Sequence, residues 1–470
     1  MDRAELEPLL ERIAAYAAAR RAGDATRSHA PADTYTQALA RFRLPQELEG
    51  ASAEEVILTL IRNAEPGLAA MTGPRFFGWV IGGSDPVGVA ADWLTSVWGQ
   101  NTGNHLATPA AAAAEESAAR ALLELLDLPR EASVGFVTGA TMANFTALCA
   151  ARGEMLRRAG WDAEADGLFG APPIHVVLGD DAHSTVFAAL KFAGLGMQRV
   201  IRVPTNDQGA IRADAFEAAV RNLDGPIIAI AQAGQINTGA FDPFASIVKS
   251  AKAKGAWVHV DGAFGLWARA AEDRAELTDG IDGADSWAVD GHKALQTPYD
   301  CGYAIVRDRE AHRRAMVIAA SYLPGGEDEA RNPSDYVPEL SRRARGFSTW
   351  AIIRHLGRDG IDAMVSRHCA LARRFAARLA QEPGVTIMND VVLNQVAVRL
   401  GADLPDDVAD ELTRKAIARV QSGGVCFVGG AQWRGKWIVR ISVIGSSTSE
   451  ADVDVSAEAI LEAWRAVRGA

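Results

Sequence analysis

Between about residue 130 and residue 308, short apolar runs alternate with longer helical stretches, and this alternation restricts the chain to few folds. The runs are Gly135-Phe136-Val137, His175-Val176-Val177-Leu178, Arg199–Val203, Ile227-Ile228-Ala229-Ile230, Trp257-Val258-His259-Val260, Ser286-Trp287-Ala288-Val289 and Gly302–Val306. Helical stretches at 141–158, 184–194, 211–222 and 244–254 lie between them. Strands that are apolar on both faces need cover on both sides, so the pattern predicts a mostly parallel sheet sandwiched by helices. Ligands of such sheets sit beyond the carboxyl ends of the strands. Polar residues directly after each run are therefore the site candidates.

The flanks do not share this pattern. A chain of 470 residues has room for more than one domain. Residues 1–75 read as a helical arm, with Leu9, Ile13 and Tyr16 at helical spacing and no strand. Residues 76–325 read as the large domain. Residues 326–470 read as a mobile loop followed by a smaller C-terminal α+β domain, with a helix from near Ser348, strands at Val392–Leu400 and Trp437–Val443, and a last helix at Ser456–Arg468. An irregular stretch through Pro324, Gly325, Gly326 and Pro333 separates the two. From Thr72 to Ala107, Phe76, Phe77, Trp79, Trp93 and Trp98 crowd among glycines. They read either as core packing or, for Phe77 and Trp79, as an apolar wall facing a substrate.

The chain has seven lysines against forty-one arginines. One of the seven, Lys293, closes the run Asp290-Gly291-His292-Lys293 at the mouth of a predicted strand. A lysine there points to an amine, because lysine can lose its proton and form a Schiff base with a carbonyl while arginine cannot. Asp261 follows another strand directly. An amine and a carboxylate at neighbouring strand ends are the two anchors that a pyridine-type cofactor needs: one binds its aldehyde, the other keeps its ring nitrogen protonated. Thr138-Gly139-Ala140-Thr141, between a strand and a helix, can approach an anion with its backbone, although many such turns look alike. His183 could stack on a flat ring or merely start a helix. His292 could touch a phosphate or a substrate carboxylate.

These segments, Thr138–Thr141, Asp181-Ala182-His183-Ser184, His259-Val260-Asp261-Gly262-Ala263 and Asp290–Lys293, resemble the group II pyridoxal-phosphate decarboxylases. That family includes the aromatic amino acid, tyrosine, glutamate and diaminobutyrate decarboxylases, and the likeness runs from about residue 75 to the C-terminus. It implies the fold of the PLP-dependent transferases (aspartate aminotransferase-like, fold type I), with pyridoxal 5′-phosphate as cofactor. By the same resemblance Lys293 would carry the cofactor's aldehyde, Asp261 would pair with the ring nitrogen and His183 would stack on the ring. Ala140 and Thr141 would bind phosphate with His292 close by, and Ser286–Asp290 would be the strand that delivers the lysine. Tyr336, in Ser334-Asp335-Tyr336, would be a mobile-loop tyrosine that protonates the α-carbon; aldehyde synthases of the family carry phenylalanine instead. Arg440, on the last strand, would meet a substrate carboxylate or make a structural ion pair. Two departures bear on the substrate: Ala294 stands where many members have tryptophan, and Gly234–Thr238 stands where many have paired threonines, with Gln235 as a possible polar replacement.

The expectation is an amino acid decarboxylase acting on an aromatic or apolar L-amino acid. An acidic substrate, an aldehyde-forming or transaminating reaction, and a catalytically inactive regulatory protein are the alternatives. The resemblance also implies a homodimer with sites at the interface, and the N-terminal helical segment, which lacks a home in either domain, is expected to be an arm that clasps it. A net charge of −11 argues against nucleic acid as a partner. The four cysteines are scattered without metal-ligand spacing, no apolar run reaches the length of a membrane span, and the N-terminus is unlike a signal peptide. A cytoplasmic protein without metal or membrane is expected.

Overall fold

The computed structural model describes residues 3–44, 50–318 and 330–469. Its centre is a seven-stranded sheet in the order β1-β7-β6-β5-β4-β2-β3. The strands are β1 (Ser133–Val137), β2 (His175–Gly179), β3 (Ile201–Val203), β4 (Ile227–Gln232), β5 (Trp257–Asp261), β6 (Ser286–Asp290) and β7 (Gly302–Val306). β3, β2, β4, β5 and β6 pair in parallel, while β7 runs antiparallel between β6 and β1. Every predicted run became a strand, although Arg199 and Val200 precede β3 instead of belonging to it.

Side chains of successive strand residues point to opposite faces, and both faces are covered. Ile227, Ala229 and Ala231 of β4 enter one core together with Leu122, Phe216 and Ile247 of helices. Ile228 and Ile230 enter the other, with Ala147, Met155 and Leu190. Two-sided burial is why these strands read as continuous apolar runs rather than alternating ones.

A second, four-stranded antiparallel sheet has the order β10-β11-β9-β8, with β8 (Val385–Ile387), β9 (Gln395–Leu400), β10 (Gly429–Trp433) and β11 (Lys436–Ser442). The final helix runs from Glu450 to Arg468 and closes its core through Val453, Ile460 and Trp464. The long helix Gly346–Leu379 serves both units. Ile352, Ile361 and Val365 pack into the large core, and Leu371, Phe375 and Leu379 into the small one. Gly357 breaks it with φ +62°, a backbone turn that costs a glycine little.

The N-terminal part is helical as expected: Arg3–Ala22, Tyr35–Arg41 and Ala53–Ala64. Neither of the last two buries a residue. Pro324–Gly326 and the boundary drawn at residues 325 and 326 lie outside the described residues. The parallel strands β2, β4, β5 and β6 end on one edge of the sheet, and that edge carries the site.

Candidate active site

Asp261 is the last residue of β5 and Asp290 the last of β6. The adjacent parallel strands thus deliver a carboxylate and, three residues later, the amine of Lys293. Lys293 Nζ lies 2.9 Å from Asp290 Oδ2. The lysine turn is pressed against the segment before residue 86. A Cβ at Gly82 would overlap the His292 carbonyl, so only glycine permits this approach.

Asp261 is buried, and burial pushes its carboxyl up while the charges of His183 and Lys293 pull it down. His183 sits at the N-cap of the helix Ser184–Phe192, where its Nδ1 accepts the Thr185 N–H. Its own N–H donates to Gln232 Oε1 at 3.1 Å. Burial pushes the His183 imidazole down, which favours a neutral ring. His292 is also pushed down by burial. Its Nδ1 accepts the Cys301 N–H at 3.3 Å, which assigns the proton of the neutral ring to Nε2. That nitrogen faces Asp290 Oδ1 at 3.5 Å.

Between these groups lies a pocket lined by Val80, His183, Gln232, Gly234, Ile236, Asp261, Ala263, Phe264 and Lys293. An amine, a buried carboxylate and an imidazole around one pocket fit an aldehyde-bearing pyridine. At the expected phosphate end, Ala140 opens the helix Ala140–Arg158 and Thr141 follows it. The Ala140 N–H is already engaged, donating to Asp290 Oδ1 at 2.5 Å. An anion does bind this helix start, but it is the chain's own carboxylate, and a phosphate there must share or displace it.

Four expected positions turn out differently or gain definition. Phe77 is 1% exposed and packs edge-on against Phe375, ring centroids 4.9 Å apart, in the core of the small sheet; it is not a substrate wall. Trp79 is 53% exposed and leans on Phe427 instead of lining the pocket. The wall is made by its neighbour Val80. Trp79 and Val80 both have φ +55°, so the chain reverses there and alternation no longer tells which side chain faces in. Arg440, on β11, is brought to the site. Its charge acts on His183, and Nη1 donates to Asn237 Oδ1 at 3.3 Å. No carboxylate pairs with it among the described residues, so the structural ion pair is not formed.

Tyr336 is the clearest correction. It ends the short helix Pro333–Tyr336 and is 4% exposed. Its hydroxyl accepts from Arg309 Nε at 2.8 Å, its ring meets His312 edge-on at 5.3 Å, and the Arg331 guanidinium lies 4.8 Å over it. Its backbone carbonyl abuts Gly135 of β1, the edge strand two places from β6. It is a packed residue beside that edge and does not line the pocket around Lys293.

Other contributors were not read from the sequence. Gln232 holds the His183 backbone, and its own N–H is held by Asp242 at 2.7 Å, a carboxyl that burial pushes up to about 7. Polar residues at the end of β4 were the available signal. Gln235 turns back on its own loop, accepting from the N–H groups of Asn237 and Thr238; Ile236 lines the pocket instead.

The model of the pyridoxal-dependent decarboxylase conserved domain matches residues 36–401. A phenylacetaldehyde synthase from Arabidopsis thaliana is 26% identical over 420 residues, 86% of this chain and 83% of that protein. An aromatic-L-amino-acid decarboxylase from Bacillus atrophaeus is 25% identical over 428 residues, 89% of this chain and 87% of that one. Among solved structures, that of Oryza sativa TDC with PLP and tryptamine shares the fold, with a TM-score of 0.90 over 99% of both chains at 23% identity.

Proposed function

Because the chain belongs to the pyridoxal-dependent decarboxylase family, we propose that it releases carbon dioxide from an aromatic or apolar L-amino acid and yields the amine. The observation that carries the substrate class is the pocket wall. Val80, Ile236, Ala263 and Phe264 are apolar, and Lys293 is the one cation among the lining residues. A second carboxylate on the substrate would find little to pair with there.

Bound pyridoxal 5′-phosphate supplies a protonated ring that withdraws electrons from the substrate's α-carbon. The chain's residues arrange for this. Lys293 offers the amine that reacts with the aldehyde, and the Asp261 carboxylate holds a proton on the ring nitrogen. Neutral His183 can lie on a ring face without adding positive charge. The Arg440 guanidinium, which has no carboxylate partner among the described residues, is available to orient the substrate carboxylate, and orientation selects which bond to the α-carbon breaks.

The test is product analysis of purified, cofactor-loaded protein across the amino acids. Amine and carbon dioxide in equal amounts from aromatic or apolar substrates are expected, with glutamate and aspartate slower by about 100-fold, the scale on which an unpaired buried charge discriminates. Aldehyde with ammonia would instead support the reaction named for the Arabidopsis relative. A keto acid would support transamination, and bound cofactor without turnover a regulatory role. Tyr336→Phe should leave the rate within about twofold, since a hydroxyl remote from the reacting atoms makes no transition-state contact.

We also infer a homodimer. Trp93, Leu94, Val97 and Trp98 on the helix Pro86–Trp98 are exposed, as are Leu39, Phe42, Val56 and Leu60 of the N-terminal part. An apolar surface of this extent marks an interaction site. Gel filtration should show a dimer that weakens when residues 1–60 are removed; an unchanged dimer would rule out the clasping arm. Among the described residues no helix is long and apolar enough to cross a membrane. The four buried, unpaired cysteines support a reducing compartment such as the cytoplasm.

A further inference from the structure

Gln296, three residues beyond Lys293, has an unusual combination of properties. It is buried, 1% exposed, and its backbone is left-handed at φ +64°, a conformation that a residue with a side chain adopts only when its surroundings compel it. The side-chain amide is fully engaged. Nε2 donates to the Lys293 carbonyl at 2.8 Å and to the Ile444 carbonyl at 2.5 Å, while Oε1 accepts the Ser446 N–H at 3.3 Å. The backbone adds two bonds: its N–H donates to the Lys293 carbonyl, and its carbonyl accepts the Asp85 N–H.

The partners come from three separate parts of the chain. Lys293 belongs to the turn after β6. Asp85 caps the helix Pro86–Trp98. Ile444–Ser446 is the turn that leaves β11, the strand carrying Arg440. Only a side chain with two donors and one acceptor at this length satisfies two carbonyls and one N–H together. Leucine fills the space without bonds. Glutamate, when ionised, sets a carboxylate against two carbonyl oxygens.

We propose that Gln296 is a positioning residue that fixes the Lys293 turn against the end of β11, and so sets the amine and the Arg440 guanidinium in register across the pocket. This rests on the reading of Lys293 as the cofactor-binding amine, but not on the identity of the substrate. The turn cannot shift without breaking the amide's bonds on one side. The two units that build the site are thereby tied at the lysine itself.

The test uses the full chain loaded with pyridoxal 5′-phosphate. Its visible absorbance, and the pH at which that absorbance titrates, report how Lys293 is held and need no turnover. Gln296→Leu and Gln296→Glu should move that midpoint by more than ~0.5 pH unit, a shift of the size that altered local interactions produce, and should raise KM for the amino acid more than they lower kcat. Gln296→Gly relieves the left-handed backbone while removing the amide, so it keeps the protein folded, and the same shift is expected. A purely structural role would lower the melting temperature of Gln296→Leu and Gln296→Glu and leave the midpoint in place. An unmoved midpoint in Gln296→Gly would overturn the proposal. Failure of wild-type protein to absorb in the visible on loading would instead overturn the reading of Lys293.

Discussion

Lys293→Arg is expected to leave a folded protein whose turnover falls by about 10⁴-fold or more, the scale of loss when a covalent catalyst is removed. The substitution separates charge from chemistry. Arginine keeps a cation opposite Asp290, whose Oδ2 lies 2.9 Å from the lysine amine, and near Asp261 and His183, which also feel that charge. The local electrostatics therefore survive. A guanidinium, however, does not give up its proton near neutral pH and cannot attack a carbonyl carbon. Lys293→Ala is a poorer probe, because it strands Asp290 and Asp261 without their cation. The measurements are the rate with saturating cofactor, the visible absorbance of the lysine-bound cofactor, and the melting temperature. Loss of the first two with the third nearly unchanged is the expected pattern. Retention of more than about 1% of the wild-type rate would remove Lys293 from its role, since residual catalysis without the nucleophile is far lower.

The seven strands of the large sheet were legible because two-sided burial leaves them mostly apolar, with buried polar exceptions such as His259 and Ser286 bonded to each other. A carboxylate or amine just past such a run then stands out, as Asp261 and, three residues beyond β6, Lys293 do. Position across the sheet was also legible, since parallel strands bring their carboxyl ends to one edge. What failed had long-range or conformational causes. Ser334-Asp335-Tyr336 has the composition of an exposed loop, yet Arg309, His312 and Arg331 surround the phenol and bury it. Val80 was overlooked beside two aromatic neighbours because the chain reverses its facing at consecutive positive-φ residues. Gln296 gave no signal of its own, because its partners at Asp85 and Ile444–Ser446 are distant in sequence.

The same blindness to distant partners hid Glu115, and Glu115→Gln is expected to destabilise the protein by about 3–5 kcal/mol, the cost of leaving buried charge without its counter-ion. Glu115 lies in the alanine-rich helix Pro109–Leu125 and is fully buried. Its carboxylate accepts from Arg331 Nη1 at 3.1 Å and from Arg342 Nη1 at 2.8 Å. Those arginine side chains are only 5% and 1% exposed. Even with the glutamate ionised the triad carries one net positive charge. Without it two guanidiniums face each other away from water, and among the described residues Arg331 keeps only the Val134 carbonyl and the Tyr336 ring as partners. Ordinary salt should offer little relief, because buried pairs are screened far less than exposed ones. The segment from Arg331 to Arg345 is anchored through this triad. It is also anchored by Arg345, which reaches Asp300 at 3.0 Å beside the Cys301 amide that holds His292. Loosening should therefore reach the site as well as lower the urea midpoint. The control is Glu115→Leu combined with Arg331→Met and Arg342→Met, which removes all three charges while keeping apolar bulk. If unpaired charge is the cause, the triple variant should be more stable than Glu115→Gln alone. A triple variant as unstable as the single one, or less stable, would place the loss in packing and overturn the electrostatic account.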